Sequence, residues 1–269
     1  MHMRRWMFFV LALTVATGSL AREGDVQERE EAVPGLSCYK PIYALIGNQP
    51  IFESKMQLSF KYRFFDEEAF QGKWTKPLNQ LFFAYTQKMF WDLEANSAPY
   101  PNNYLDSYFS PEFIYLNRNV AESFWGSQLD LQFGYQHESN GRDEADARNW
   151  ERLYIQPTWV FGQTNGYQFI VASKVWAIVA KSAGNKDIEE YLGYGELQLK
   201  YGKDDGILVD LMLRKGTSGY NGAVELNASY PVKLLNIFLY GQAFYGYGDA
   251  LRIYDEETAS FRIGVAFSR

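Results

Sequence analysis

Cysteine is almost absent from this sequence. Cys38 is the only cysteine among 269 residues, so an intramolecular disulfide framework is excluded. The position after the small-residue site at 19–21 is Arg22, whereas a lipid-anchored chain carries a cysteine there. We therefore expect neither disulfides nor a lipid anchor to stabilise or localise the chain.

Long hydrophobic runs and an excess of basic residues are missing too. After Ala21 no stretch approaches the ~18 consecutive apolar residues of a membrane-spanning helix, and no helical periodicity, internal repeat or Pro-rich linker is evident. The net charge of −6 argues against nucleic-acid binding, which requires basic surfaces. These absences predict one domain without a nucleic-acid partner.

The first 21 residues are typical of a secretory signal peptide. Arg4 and Arg5 precede an apolar run at 6–16, and Ser19-Leu20-Ala21 offers a small-x-small cleavage site. The run is too short to span a bilayer. We expect residues 1–21 to direct the chain out of the cytoplasm.

Aromatic residues are abundant and follow an alternating pattern. They make up 17% of the chain, yet the mean hydropathy is only −0.32. Between Lys55 and Phe64 every second residue is apolar and the others are polar, as in a strand that has lipid on one face and water on the other. Aromatic girdles and such strands are typical of transmembrane β-barrels.

The pattern predicts an all-β, twelve-stranded antiparallel transmembrane barrel at 39–269, preceded by a mobile periplasmic segment at 22–38. The even number of strands and the alternation of short turns with long loops fit a barrel of the Gram-negative outer membrane. The predicted strands are 39–47, 54–65, 78–91, 109–118, 124–138, 150–161, 167–180, 189–201, 207–216, 221–230, 236–247 and 260–267.

Residues that carry chemistry occur at the end of strand 124–138. His137 and Ser139 are two positions apart, so both point to one face, and their odd numbers match the apolar, outward row of that strand. Glu151 on the next strand has outward parity and can lie beside His137. This arrangement fits a nucleophile, a base and a residue that orients the base.

From spacing alone, three interfacial polar residues are an equally good interpretation. A porin or a structural barrel without catalysis is the alternative function. Neither requires a histidine on the outward face.

Several segments resemble the outer-membrane phospholipase A family. They are YTQK at 85–88, NYLD at 103–106, YQHESNGR at 135–142 with RLY at 152–154, and SGYNGAVELNASYP at 218–231. The resemblance covers most of the chain from about Tyr39 and keeps the family order. It implies calcium-dependent hydrolysis of phospholipid and lysophospholipid acyl esters.

The resemblance also implies roles for single residues. Ser139 is the nucleophile and His137 the base, while Glu151 stands where the family usually has asparagine. The backbone N–H of Gly141 is the candidate oxyanion donor.

The resemblance implies a Ca²⁺ ion between the two subunits of a homodimer. The calcium positions are Arg142 and Ala147 of one subunit together with Ser97 of the partner subunit. Further oxygen sources are Asp143, Glu144 and Asp146. Gln87 lies in an outward, otherwise apolar row and matches the dimer interface.

Overall fold

The computed structural model describes residues 35–49, 51–94, 104–143, 146–163 and 165–269. The signal peptide predicted at 1–21 lies outside this range. Almost all of the regular structure is β-strand. The strands are Leu36–Cys38 (β1), Ile42–Gln49 (β2), Ile51–Arg63 (β3), Leu81–Asp92 (β4), Tyr104–Glu122 (β5), Gln128–Ser139 (β6), Asn149–Gly162 (β7), Gln168–Lys181 (β8), Gly195–Gly202 (β9), Leu208–Lys215 (β10), Gly222–Val232 (β11), Ile237–Tyr247 (β12) and Glu257–Ser268 (β13).

The strands form one closed antiparallel barrel. From β3 to β13 each strand pairs with the next in the chain, and β13 pairs with β2, which pairs with β3. β1 and β2 lie along the same edge of β3, with Cys38 opposite Phe60 and Tyr43 opposite Gln57. They act as one barrel strand interrupted near Pro41, so the barrel has twelve strands, as predicted.

Helices are few and short. The α-helix α1 is Ile188–Leu192, and three-residue to five-residue 3₁₀ turns occur at Lys76–Gln80, Phe124–Gly126 and Ala183–Asn185. In the described part of the chain, no helix is both long and apolar enough to cross a membrane.

Alternation along the strands separates an outer from an inner face. On β6, Phe133 is exposed whereas Gln132 and Gln136 are buried. The outward parity assigned to the odd residues of this strand is therefore correct.

The interior of the barrel is polar and charged. Lys55 donates to Asp249 and Gln242, each at 2.7 Å, and Arg262 donates to Asp249 at 2.6 Å and to Glu53. Asp249 belongs to the connection after β12. Burial alone would raise the pKa of its carboxyl, but Lys55 and Arg262 hold this pKa well below its usual range. Buried charges of this kind require such partners.

An apolar cluster fills the barrel at the end where the longer connections 140–148, 182–194 and 248–256 emerge, hereafter the long-loop end. Side chains of β7 and β8 pack there against α1 and the last of these connections. The cluster consists of Trp150, Tyr154, Trp176, Ile188, Leu192, Leu251 and Tyr254. This packing occupies the mouth of the lumen.

Several boundaries differ from the sequence prediction, and β5 covers Tyr104–Glu122 where a strand at 109–118 was predicted. The strand predicted at 189–201 begins only at Gly195, because Ile188 and Leu192 are instead on α1 and bury themselves in the apolar cluster. The strand predicted at 124–138 begins at Gln128, after the 3₁₀ turn. Residues 36–38, assigned from sequence to the mobile segment, pair with β3.

The buried charge network supplies a test of the fold. We expect Arg262→Met to lower the free energy of unfolding by about 3–5 kcal/mol, because Glu53 and Asp249 then remain buried with too little positive charge. Urea unfolding of the refolded barrel in detergent micelles measures the change. Lys203→Met is the control, since its ion pair with Asp205 (2.8 Å) is at the surface, and it should leave the unfolding midpoint unchanged. Equal effects of the two variants would contradict the assigned role of the network.

Candidate active site

Ser139 ends β6 at the long-loop end and lies on the outer face of the barrel. It is opposite Phe109 of β5 and Asn149 of β7. Ser139 is partly buried, and its odd number places its side chain on the same face of β6 as the exposed Phe133.

His137 and Glu151 form a cross-strand pair one row below Ser139. They are directly opposite in the β6–β7 register, and they share the outer face as their numbers predict. His137 Nδ1 lies 3.6 Å from Glu151 Oε1, and both side chains are about one-third exposed. The carboxylate is thus placed to orient the imidazole and to stabilise its protonated form.

Ser139 and His137 share the outer face of β6, but their side chains are not hydrogen-bonded to each other. Residues two apart in a strand are separated by about 7 Å at Cα, and the structure shows no hydrogen bond between these two side chains in the chain segments it describes. Rotation of the serine and histidine side chains is needed to bring the hydroxyl onto the ring. Catalytic hydrogen bonds are commonly long before substrate binds.

Two neighbours of the site were not assigned a role from sequence. The Tyr135 hydroxyl donates to Glu151 Oε2 at 2.6 Å, and Asn149 faces Ser139 across the β6–β7 pair. Both have odd numbers, so the outward parity used for His137 could have singled them out. Parity alone could not have shown that the tyrosine reaches diagonally to the carboxylate.

Asn140 organises the connection that follows Ser139. Its Nδ2 donates to the carbonyl of Asp146 at 2.8 Å, and its Oδ1 accepts from the backbone N–H groups of Arg142 (3.3 Å) and Arg148 (3.0 Å). The turn places Gly141 in the left-handed region, at φ 65°. Gly141 thus lies in a fixed turn two residues after Ser139.

The calcium positions implied by resemblance are only partly described. Ser97 and Glu144 lie outside the described residues, and the carboxylates of Asp143 and Asp146 are in the exposed part of the 140–148 connection. Ala147 has no side-chain oxygen, and its carbonyl already accepts from Arg148 Nη1 at 3.2 Å and from Ser182 Oγ at 3.4 Å.

Arg142 offers a backbone carbonyl, and Asp143 and Asp146 offer exposed carboxylates. Ala147 offers only a carbonyl that already accepts two hydrogen bonds. Across the described ranges, no cluster of three or more His, Cys, Asp or Glu side chains is arranged to hold a metal.

Gln87 lies on the outer face of β4, opposite Phe109, in the same row as Ser139. Its Oε1 accepts from the Tyr85 hydroxyl at 3.1 Å. The amide therefore has a partner within its own chain, which weakens the argument that an isolated amide demands a second subunit.

Comparison with known proteins identifies the family of this chain. The family model for phospholipase A1 matches residues 38–267. The chain belongs to the phospholipase A1 family.

Curated phospholipase A1 relatives match with moderate identity. The protein of Escherichia coli K12 is 33% identical over 190 residues, which are 70% of this chain and 62% of that relative. The Proteus vulgaris protein is 31% identical over 211 residues, which are 74% of this chain and 69% of that one. The match thus spans less than two thirds of the length of the Escherichia coli phospholipase A1.

Solved structures of the family share the fold. Outer membrane phospholipase A from Escherichia coli has a TM-score of 0.72 and 24% identity, with 86% of this chain and 93% of that chain covered. A Salmonella typhi outer membrane phospholipase, solved as a dimer with bound calcium, has a TM-score of 0.74 and 25% identity, with 88% and 94% covered. Fold and family together indicate an outer-membrane β-barrel protein.

Gly141 provides a test of the site. An alanine there has its Cβ 2.9 Å from the Phe109 ring, whereas an alanine at Gly219, also left-handed at φ 48°, meets nothing within 4 Å. Both substitutions carry the strain of about 1–2 kcal/mol of a left-handed alanine, but only Gly141→Ala displaces the loop beside Ser139. We expect Gly141→Ala to slow labelling of Ser139 by a fluorophosphonate roughly tenfold or more, and Gly219→Ala to label at the wild-type rate. Equal rates for the two variants would contradict this placement of Gly141.

Proposed function

We propose that this protein hydrolyses the acyl esters of phospholipids and lysophospholipids in the outer leaflet of the outer membrane. Ser139 is the nucleophile, His137 the base, Glu151 the residue that orients it and Gly141 the oxyanion donor. The observation that carries the proposal is the outward His137–Glu151 pair, placed one row below Ser139 on the lipid-facing surface. Membership of the phospholipase A1 family supports the same reaction.

The reaction follows from the positions of these groups. Because Nδ1 of His137 faces Glu151, Nε2 is the nitrogen that accepts the Ser139 proton as Oγ attacks the ester carbonyl carbon. The same proton then passes to the departing lysophospholipid oxygen, leaving an acyl-serine. Water attacks this ester, gives a proton to His137 and releases the fatty acid, and the proton returns to Ser139.

The outer surface next to the site suits an acyl chain. Below Ser139 and His137 the β5–β7 surface presents Phe113 and Leu153, both more than half exposed. A lipid whose ester lies at Ser139 can extend its tail along these side chains without leaving the hydrocarbon. The lumen, by contrast, is lined by charged groups and is unsuitable for a lipid tail.

Calcium and a second subunit are further parts of the proposal. The Salmonella typhi relative was solved as a dimer with bound calcium, and Ca²⁺ prefers oxygen ligands. In this chain Arg142, through its backbone carbonyl, and the carboxylates of Asp143 and Asp146 are the described groups that would hold the ion. Ser97 of the partner subunit would contribute a further ligand. When bound, calcium would add positive charge near the developing oxyanion.

A porin or a purely structural barrel is the alternative. The apolar cluster around Trp150 and Trp176 fills the lumen at the long-loop end, which does not favour a solute channel. Neither alternative explains a histidine paired with a carboxylate on the lipid face, where ionisable groups are costly.

The decisive test of the proposed function is Ser139→Ala. We expect this variant to lose phospholipid hydrolysis in mixed micelles, by a factor of about 10⁴ or more if the nucleophile is essential, while its heat-modifiable migration stays that of a folded barrel. Ser173→Ala removes an outward hydroxyl from β8 and should keep full activity. Turnover retained by folded Ser139→Ala would exclude Ser139 as the nucleophile.

A second test concerns calcium and dimerisation together. A metal bound by two subunits favours the dimer, and by linkage the dimer binds the metal more tightly. We expect chelation to reduce both cross-linked dimer and turnover, and calcium but not magnesium to restore them along one titration curve. Asp143→Asn should shift this curve to higher calcium, whereas Asp66→Asn, in the connection between β3 and β4, should not. Full activity of a monomeric, chelated sample would refute this part of the proposal.

A further inference from the structure

The carboxylate of Glu151 is held by two different groups, one on each oxygen. The Tyr135 hydroxyl donates to Oε2 at 2.6 Å, and His137 Nδ1 faces Oε1 at 3.6 Å. We propose that Tyr135 is a positioning residue, which fixes Glu151 so that its second oxygen is directed at His137. The inference rests on the proposed hydrolase function and assigns Tyr135 a role that it exerts through Glu151.

The barrel register makes this arrangement possible. Tyr135 and His137 are two apart on β6 and share the outer face, and Glu151 is directly opposite His137. Tyr135 is opposite Leu153, so its hydroxyl reaches Glu151 diagonally, by a route that long aromatic side chains can span. Tyrosine and histidine therefore approach the carboxylate from the same strand without competing for one oxygen.

Glutamate needs this support more than a shorter residue does. Its side chain has three rotatable bonds, and fixing them costs conformational entropy. Glu151 is also a carboxylate at a surface that faces lipid, where a charge is unfavourable without a partner. A hydrogen bond to an ionised group is stronger than one between neutral groups, so the Tyr135 hydroxyl offsets both costs.

The partners of Tyr135 point to this role and not to packing alone. Its ring lies in the outward row between Phe133 and His137, and its hydroxyl bonds the carboxylate rather than the backbone. A tyrosine that served only as a membrane-interface anchor would need no carboxylate partner. Here the hydroxyl is directed at the residue that orients the base.

The first measurement compares Tyr135→Phe with the wild type. The variant keeps the ring and loses only the hydroxyl. We expect kcat and the rate of Ser139 labelling by a fluorophosphonate to fall in parallel, by roughly 5- to 20-fold, as for loss of a hydrogen bond to a charged group, with KM unchanged. Tyr201→Phe removes an outward hydroxyl on β9, where the ring stacks on Tyr167, and should behave as the wild type.

The second measurement is a double-mutant cycle with Glu151→Ala, read by the labelling rate. If Tyr135 acts through Glu151, Tyr135→Phe has no further effect once the carboxylate is gone. The proposal is overturned if Tyr135→Phe labels at the wild-type rate, if only KM changes, or if the loss is the same in both backgrounds. Ser139→Ala separates this failure from failure of the proposed function, because an inactive Ser139→Ala protein beside a fully active Tyr135→Phe protein refutes the inference alone.

Discussion

The register of β6 against β7 is the constraint on which the site depends. Side chains alternate between the two faces of a strand, so a slip by one residue would turn the outward row into the lumen. The register is held from inside the barrel, where Glu138 accepts from Trp150 Nε1 at 2.6 Å and from Arg152. The same pairing that satisfies these buried groups places Glu151 opposite His137 on the other face.

The architecture was largely predictable because it follows from a local rule. The alternation of polar and apolar residues with a period of two is visible in any short stretch. It predicted all twelve barrel strands and the face of the barrel on which His137 lies. The segment 188–192 was misassigned because its two apolar ends, Ile188 and Leu192, are compatible with either a strand or a helical turn. The burial of Ile188 and Leu192 in one cluster with Leu251 and Trp176 favours the helix. No local pattern in the sequence reveals a contact between residues so far apart in the chain.

The sequence predicted which residues of the site share the outer face, but not which of them are hydrogen-bonded. Parity and the even sum of two residue numbers place His137 and Glu151 on one face, and the β6–β7 register then makes them direct partners. Which residue holds the second oxygen of Glu151 depends on side-chain rotamers, so Tyr135 could not be separated from the other outward aromatics. Asn140 was missed for a related reason: its amide fixes the 140–148 connection through backbone groups, and backbone partners leave no trace in residue spacing.

The depth of the site in the membrane reconciles a charged residue with a lipid-facing surface. A charge on the outer face of a barrel is costly at the bilayer centre and much less so near the interface. Glu151 is the third residue of β7 and lies close to the long-loop end, and it remains about one-third exposed. Phospholipid ester groups occupy the same interfacial level, and the rows below it change to apolar Leu153 and Phe133. In the proposed function, the position that tolerates the carboxylate is therefore also the level at which Ser139 would meet an ester, and the surface below would meet its acyl chain.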